Sequence, residues 1–367
     1  MNVNEVLSNR AIQLAGGLIG SKEPVHPNDH VNMSQSTNDT FVSAMHIAAA
    51  QEITEGLLPK VEALQASIKA KAVEWVDVVK IGRTHLQDAT PITVGQEWSG
   101  YAAQIEDAIE NIRHSLLGLY RLAMGGTAVG TGINADPEFG EMTASIIAEM
   151  TGHPFVSAPN KFAAQASLDA MVQASAALRG LAVALFKVSN DLRWLGCGPR
   201  AGIHEIILPE TEPGSSIMPG KVNPTLQEAM IMVCIQVMGN DAAVAIAGSQ
   251  GNFELNSMRP VVCRNVMHSI SILGDACEKL REFSIEGITL DRERIQRYLE
   301  QSLMLVTSLN PVIGYDKAAA IAHKAVADNV TLREAAISSG LITSEDFDRY
   351  TDPSKMVGDP HRDLGIV

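Results

Sequence analysis

Aromatic residues are scarce, only 4% of the 367-residue chain, whereas Ala, Leu, Ile and Met are plentiful. That balance disfavours a β-sandwich and favours helices packed closely through small side chains. Runs of lysine or arginine are absent. Lys plus Arg total 28 against 42 Asp plus Glu, for a formal net charge of −14. Nucleic acids and anionic membranes are held by clustered cations, so neither is an expected partner. Cysteine is sparse and scattered, with Cys197, Cys234, Cys263 and Cys277 forming no CxxC pair. This excludes a zinc ribbon, does not suit a disulfide framework, and points to reduced thiols in a cytoplasmic protein. Residues 1–10 lack the charged-then-apolar order of a signal peptide. No uninterrupted apolar stretch of about 18 residues occurs. The nearest, 229–247, is broken by Gln236, Asn240 and Asp241, and reads as a helix buried on most sides in a large core.

What is present is helical periodicity. Residues 94–124 contain no proline, and Val94, Trp98, Tyr101, Ile105, Ile109, Ile112, Leu116 and Leu119 fall on one stripe. At a rise of 1.5 Å per residue such a helix is about 45 Å long. Residues 161–195 form a second proline-free segment, with Ala163, Ala166, Ala170, Ala174 and Ala177 allowing close helix approach. A third, 225–247, starts just after Pro224, as helices commonly do. Between 40 and 73 a shorter helical pair is expected, with Pro59 marking the break. Helices this long imply an all-α bundle completed by other subunits. Loops rich in Gly, Pro and polar residues lie at 26–40, 82–91, 125–137, 196–224 and 251–260, and the chemistry is expected there. From about 290 onward the helices shorten and become more charged, with small amphipathic pieces at 332–339 and 344–350. Residues 293–367 therefore read as a small C-terminal helical domain.

Three motifs fail on inspection. Gly214-Ser-Ser-Ile-Met-Pro-Gly220-Lys221 has five residues between its glycines where a phosphate loop has four, and Val222 stands where Ser or Thr would bind magnesium. Gly130-Thr-Gly132-Ile-Asn-Ala135 follows a helix, not the strand that dinucleotide binding requires. His26 and His30 are four apart, but Pro27 and the Asn-Asp pair make this a turn, so no metal site is expected.

Three loops remain. In 214–224, two glycines, two prolines and a serine pair can turn consecutive backbone N–H groups toward one point, an anion-binding nest. Lys221 and Asn223 add a cation and an amide donor, which suits a carboxylate ligand. By residue types alone, a cap ahead of the Thr225 helix with Lys221 solvated is the favoured reading. Gly82-Arg-Thr-His-Leu-Gln-Asp-Ala-Thr-Pro91 presents Thr84 and His85 on a loop, where a lone histidine is often only a surface residue. Ser34-Gln-Ser-Thr-Asn-Asp39 supplies short hydrogen-bonding side chains, and also suits an N-cap for the helix at Thr40.

Together these loops resemble the fumarase/aspartase superfamily, whose signature is similar to Ser-Ser-Ile-Met-Pro-Gly-Lys-Val-Asn-Pro at 215–224. The segment His26-Pro-Asn-Asp-His-Val-Asn with Ser34–Asp39, and the segment 82–91, are similar to its other two motif regions. The likeness continues collinearly through Gly125-Gly-Thr-Ala-Val-Gly-Thr-Gly132 and Ser308-Leu-Asn-Pro-Val-Ile-Gly-Tyr-Asp316. Class II fumarase is the most similar branch, because relatives that eliminate ammonia from aspartate carry Gln at the position of His85 and Ala at that of Gly220.

The resemblance implies a tetramer-forming long-helix bundle. It also implies reversible hydration of fumarate to L-malate without metal or cofactor, in active sites shared between chains of a homotetramer. Carried over residue by residue, Ser215 is the base, His85 serves acid/base work or water activation, and Glu228 pairs with His85. Lys221 and Asn223 stabilise the aci-carboxylate, while Thr84, Ser36, Thr37, Asn38, Ser216 and Val222 complete the dicarboxylate site. His26, Pro27, Asn28 and Asp29 correspond to a second anion site. In these terms 1–35 is a remnant of the N-terminal lyase domain, 36–292 the central helical-bundle domain and 293–367 the C-terminal domain. The family has roughly a hundred further residues ahead of the point where this chain starts, including a Gly-Ser-Gly-Thr-type loop, so the chain is expected to be a fragment with one wall of the site missing. Alternative readings are an aspartase-like ammonia lyase and a non-catalytic helical assembly protein.

Overall fold

The computed structural model describes residues 1–366. Its helices in chain order begin with α1 (Asn2–Leu14), α2 (Thr37–Gln51), α3 (Leu58–Glu74), α4 (Val94–Leu119) and α5 (Phe139–Thr151). Next come α6 (Lys161–Ala166), α7 (Asp169–Leu195), α8 (Thr225–Ser249), α9 (Arg259–Phe283) and α10 (Arg292–Gln301). The short helices α11 (Asn310–Ile313), α12 (Tyr315–Asp328), α13 (Leu332–Ser338), α14 (Ser344–Tyr350) and α15 (Pro360–Asp363) close the series. Among the described residues, extended structure comprises three strand pairs and an isolated bridge between Asn252 and Leu255. β1 (Val79–Thr84) and β2 (Gln87–Thr93) form an antiparallel hairpin, β3 (Arg121–Leu122) runs parallel to β4 (Val156–Ser157), and β5 (Ile206–Ile207) is antiparallel to β6 (Thr289–Leu290).

The all-α expectation holds, and the apolar stripe of α4 is buried along its length, from Trp98 through Ile105 and Ile112 to Leu119. Helix α14 coincides with the expected 344–350 piece. Elsewhere the local structure departs from the sequence pattern. The segment 161–195 is two helices, because Ser167 is extended (φ −115°, ψ 166°) and ends α6. Pro59 does not break the helical run between α2 and α3. A π-helical stretch, Glu52–Leu57, precedes it, and its wider turn accommodates a residue that has no N–H to donate. The long helix from Val94 ends at Leu119, short of 124. The expected loop at 82–91 is the β1–β2 hairpin.

The chain divides into two compact units, and five helices contribute residues to both. One unit comprises Met1–Val61, Asp107–Val183 and Met232–Ala276. Its interior is aliphatic, built from residues such as Val42, Ile112, Leu178, Val244 and Leu273. Two polar contacts join its helices. Asp241 on α8 accepts from Ser175 on α7 at 2.7 Å, and Asn240 donates to Ser269 on α9 at 3.0 Å. The other unit comprises Glu62–Glu106, Ala184–Ile231 and Cys277–Val367. Trp75 and Trp98 meet edge-on at 4.8 Å in its interior, an arrangement favoured by the ring quadrupoles. Within this unit the C-terminal helices pack around Leu305, Leu309, Ile321, Ala335 and Phe347.

By length and composition alone, α7 and α8 are apolar enough to cross a membrane. The expectation that the 229–247 helix is buried on most sides fails for the single chain. Met232 and Ile246 on α8 are 66% and 67% exposed, and Ile235 is also exposed. Apolar residues surround this helix, whereas the partners within the chain cover only part of its circumference.

His46 on α2 is buried and lies 3.1 Å from the carbonyl of Arg121 at β3. A carbonyl only accepts, so Nδ1 carries the proton and the ring is neutral. Burial pushes its pKa down to about 4. The unfolded chain therefore binds a proton that the folded chain refuses as pH falls from about 6.5 to 4, and stability drops across that window by about 3 kcal/mol from this group. His46→Asn keeps an N–H for the Arg121 carbonyl and removes the titration. Urea unfolding at pH 7 and pH 4 is expected to show an acid-side loss smaller by about that amount in the variant; equal losses would contradict the assignment.

Candidate active site

The expected site residues fall into local groups, each built by its own loop. In the unit that contains residues 1–61, Ser36 is the N-cap of α2. Its hydroxyl accepts the Asn38 N–H at 3.2 Å, and its own N–H donates to Asp39 at 3.0 Å, a reciprocal capping box. The segment does cap a helix, as expected, but the helix begins at Thr37, three residues before the expected Thr40, with Asp39 in the acidic position. The second oxygen of Asp39 accepts the N–H groups of Gly125 and Thr127 at 3.2 and 2.9 Å. Burial lifts the Asp39 carboxyl above its usual range, against the pull of these backbone donors. Asn38 donates to the Ala128 carbonyl at 2.8 Å. Arg259 donates to the carbonyls of Thr37 and Gln165 at 3.1 and 2.8 Å. The 34–39 loop is thus stitched to the glycine-rich 125–132 loop and to the start of α9, while the side chain of Thr37 stays exposed.

In the same unit, His26 caps a π-helical turn, Pro27–Val31. Its Nδ1 accepts the N–H groups of Asn28 and Asp29 at 3.2 and 3.1 Å. In the neutral ring the proton is therefore on Nε2, which is left as a donor. His30 Nδ1 is likewise occupied, by the His26 N–H at 2.8 Å. The two imidazoles cap backbone instead of facing a common metal. Among the described residues no cluster of three or more His, Cys, Asp or Glu is placed to hold a metal ion.

The other unit carries the remaining residues. Thr84 ends β1, and His85 with Leu86 forms the two-residue turn to β2, with Thr84 opposite Gln87. Both turn residues are left-handed, φ 55° and 61°. Two-residue hairpins demand that backbone and usually recruit Asn-Gly for it. His-Leu at such a place is strained, and strain of this kind gathers at functional sites. His85 and Thr84 are exposed at the tip.

The 214–224 loop closes on itself. A Cβ at position 214 would lie 2.4 Å from the Lys221 carbonyl oxygen, so only glycine permits the closure. Inside the loop the Ser215 hydroxyl oxygen accepts from the backbone N–H groups of Ile217 and Met218, at 3.4 and 3.2 Å. The nest expected of this segment was for a carboxylate ligand, whereas these two N–H groups converge on the serine oxygen of the same loop. Ser216, Lys221 and Val222 are exposed on the same loop, and Asn223 is half-buried.

Glu228, in the first turn of α8, does not meet His85 within the chain. It lies 3.5 Å from the Arg193 guanidinium, a loose pair with both side chains 38% exposed. The reading from sequence also missed three groups that hold the site loops. They are Asp39 as a buried carboxylate, Arg259, and a cluster in which buried Lys80 and Glu205 meet the half-buried Arg83 and Glu97. The only local signal was the Ser-x-x-Asp spacing of the capping box. The others join residues far apart in sequence.

Comparison with known proteins gives these loops a context. Residues 1–239 match the Lyase family and residues 305–358 match the Fumarase C C-terminus family. The class II fumarate hydratase of Methanosarcina acetivorans is 70% identical over 367 residues, all of this chain and 76% of that protein. The mitochondrial fumarate hydratase of Dictyostelium discoideum is 58% identical over 359 residues, covering 98% of this chain and 74% of its own. Among solved structures, a class II fumarase from Schistosoma mansoni superposes with a TM-score of 0.92 at 43% identity, across 97% of this chain and 78% of that one. A 3-carboxy-cis,cis-muconate lactonizing enzyme from Pseudomonas putida shares the fold at 20% identity and a TM-score of 0.77.

The closure at Gly214 is testable without reference to activity. Gly214→Ala is expected to open the loop, so that the Ile217 and Met218 amides exchange hydrogen about tenfold faster. The exposed loop contributes little to global stability, so Tm should stay within about 2 °C. Unchanged amide protection would show that the Gly214–Lys221 contact does not hold the loop shut.

Proposed function

The chain belongs to the fumarase family of lyases, and we propose that it is a class II fumarate hydratase, interconverting fumarate and L-malate. The observation that carries the mechanism is the pair of backbone N–H groups aimed at the Ser215 oxygen. Dehydrating malate requires removal of a proton from a carbon beside a carboxylate, and the product of that step is a doubly charged aci-carboxylate. A serine hydroxyl is a weak base near neutral pH, so it first loses its proton to solvent, and the alkoxide that results needs donors already in place. The Ile217 and Met218 amides supply them, and Lys221 adds a positive charge from the same loop. Lys221 and Asn223 then stabilise the negative charge that develops on the substrate carboxylate. His85 protonates the departing hydroxyl directly or through a water. Thr84, Ser36, Thr37, Asn38, Ser216 and Val222 hold the two carboxylates and the hydroxyl. No metal or cofactor enters this reading.

The pairing of His85 with Glu228 belongs to the assembled enzyme. Both side chains are accessible in the single chain, and α8 offers apolar side chains that nothing within the chain covers. A homotetramer in which each active site takes loops from several chains accounts for both features. In that assembly the carboxylate fixes the imidazole tautomer. The 26–29 turn serves as a second anion site through the Nε2–H of His26. Residues 1–35, 36–292 and 293–367 are read as N-terminal, central-bundle and C-terminal parts, the last supported by the cluster around Leu305, Leu309 and Phe347. The dispersed cysteines favour a cytoplasmic setting.

Ser215→Ala removes the base and leaves the backbone intact. It is expected to cut malate dehydration by about a thousandfold or more, with oligomer size and Tm unchanged. Substantial remaining turnover would remove Ser215 from the role of base, and loss of assembly would make the loop structural.

A further inference from the structure

We infer that Glu205 is a positioning residue for His85, acting through Lys80 and Arg83 to set where the β1–β2 hairpin presents its tip. The inference rests on the proposed role of His85. The carboxylate of Glu205 is 1% exposed and lies between two cations of β1. Its Oε1 is 2.8 Å from Arg83 Nη2, and its Oε2 is 2.8 Å from Lys80 Nζ. Glu97 completes the cluster, with its two oxygens 2.8 and 2.9 Å from Lys80 Nζ. Two cations and two carboxylates leave it formally neutral. Burial raises the Glu205 carboxyl, but the charges of Lys80 and Arg83 outweigh that effect and hold it below the usual carboxylate range.

The strand is shaped for this contact. Lys80 and Arg83 are three residues apart, and in a regular strand their side chains would point to opposite faces. The register between β1 and β2 shifts between Ile81 and Arg83. The extra residue lies on β2, where Ala89 and Thr90 stand opposite Gly82, and the bend and added twist of this bulge fall between the two cations that reach one carboxylate. Gly82 is required because a Cβ there would lie 2.7 Å from the Thr90 carbonyl oxygen.

Glu205 is itself fixed at the backbone. Its N–H donates to Leu195 O at 2.9 Å, its carbonyl accepts from Asp291 at 3.0 Å, and Ile206–Ile207 continue into β5. Arg83 immediately precedes Thr84 and His85. Beyond it, residues 84–87 are all exposed, and neither Thr84 nor His85 makes a side-chain hydrogen bond among the described residues. The Arg83–Glu205 pair is therefore the last side-chain anchor before a strained turn. Buried ion pairs add little net stability compared with apolar packing, and specifying geometry is a better use for them.

The test uses Glu205→Gln, with Arg83→Lys as a second variant that keeps the charge and loses the planar fork. Each is measured for malate dehydration, alone and combined with His85→Asn, and for hydrogen exchange at residues 84–87. Alone, each variant is expected to lower kcat about 10- to 100-fold with KM changed less than about threefold, the signature of a misplaced group. With His85 already removed, the same change is expected to lower kcat no further, because the two residues act as one unit. Exchange at 84–87 should rise about tenfold. Equal kcat losses with and without His85, or unaltered exchange at 84–87, would overturn the inference. If His85→Asn alone leaves kcat unchanged, the role of His85 falls instead, and the exchange data still decide whether Glu205 anchors the hairpin. If Glu205→Gln does not fold, Arg83→Lys carries the same decision.

Discussion

A serine takes a proton from carbon only as its alkoxide, whose negative charge must be stabilised before the proton is taken. The account of this protein depends on that constraint, met by two backbone N–H groups directed at Ser215 Oγ. They belong to a loop that folds back until Gly214 touches the Lys221 carbonyl, an approach that no side chain allows. The closure also brings the Lys221 end of the loop back to its beginning. Sequence, local backbone and electrostatics are thus joined at one glycine.

The other loops meet the same demand for preorganisation by different means. In one unit the 34–39 segment is held from three sides, by the buried Asp39 carboxylate, by Asn38 on the Ala128 carbonyl, and by Arg259. In the other unit a neutral four-charge cluster grips the hairpin just below the histidine. Supporting groups are buried or half-buried and engage one another, whereas many groups assigned to chemistry are exposed. This division suits a site whose remaining walls come from further chains. The exposed apolar side chains of α8 point to the same incompleteness.

Much of this was legible in the sequence, for identifiable reasons. Long proline-free periodicity located the main helices, and Pro224 fixed the start of α8. The Gly-Pro-Ser density of 214–224 announced a folded loop of convergent N–H groups. The hairpin escaped because its turn is His-Leu, where Asn-Gly would have signalled it, and because Gly82 and Pro91 read as loop residues. The Ser167 break escaped because alanine periodicity continues across it. Pro59 was misjudged because a π-helical stretch absorbs it. The Arg83–Glu205 pair spans 122 residues, and no local pattern encodes a contact of that reach. Glu228 was assigned to His85 by resemblance, while a single chain offers it only Arg193.

The most direct test of the central claim is to add L-malate to the purified 367-residue chain and follow the ultraviolet absorbance of the conjugated double bond, with L-aspartate as the parallel substrate. The account predicts a rising fumarate band from malate, without added metal or cofactor, and none from aspartate. A band from aspartate alone would make the chain an ammonia lyase, and no band from either would contradict a competent Ser215 site in this chain.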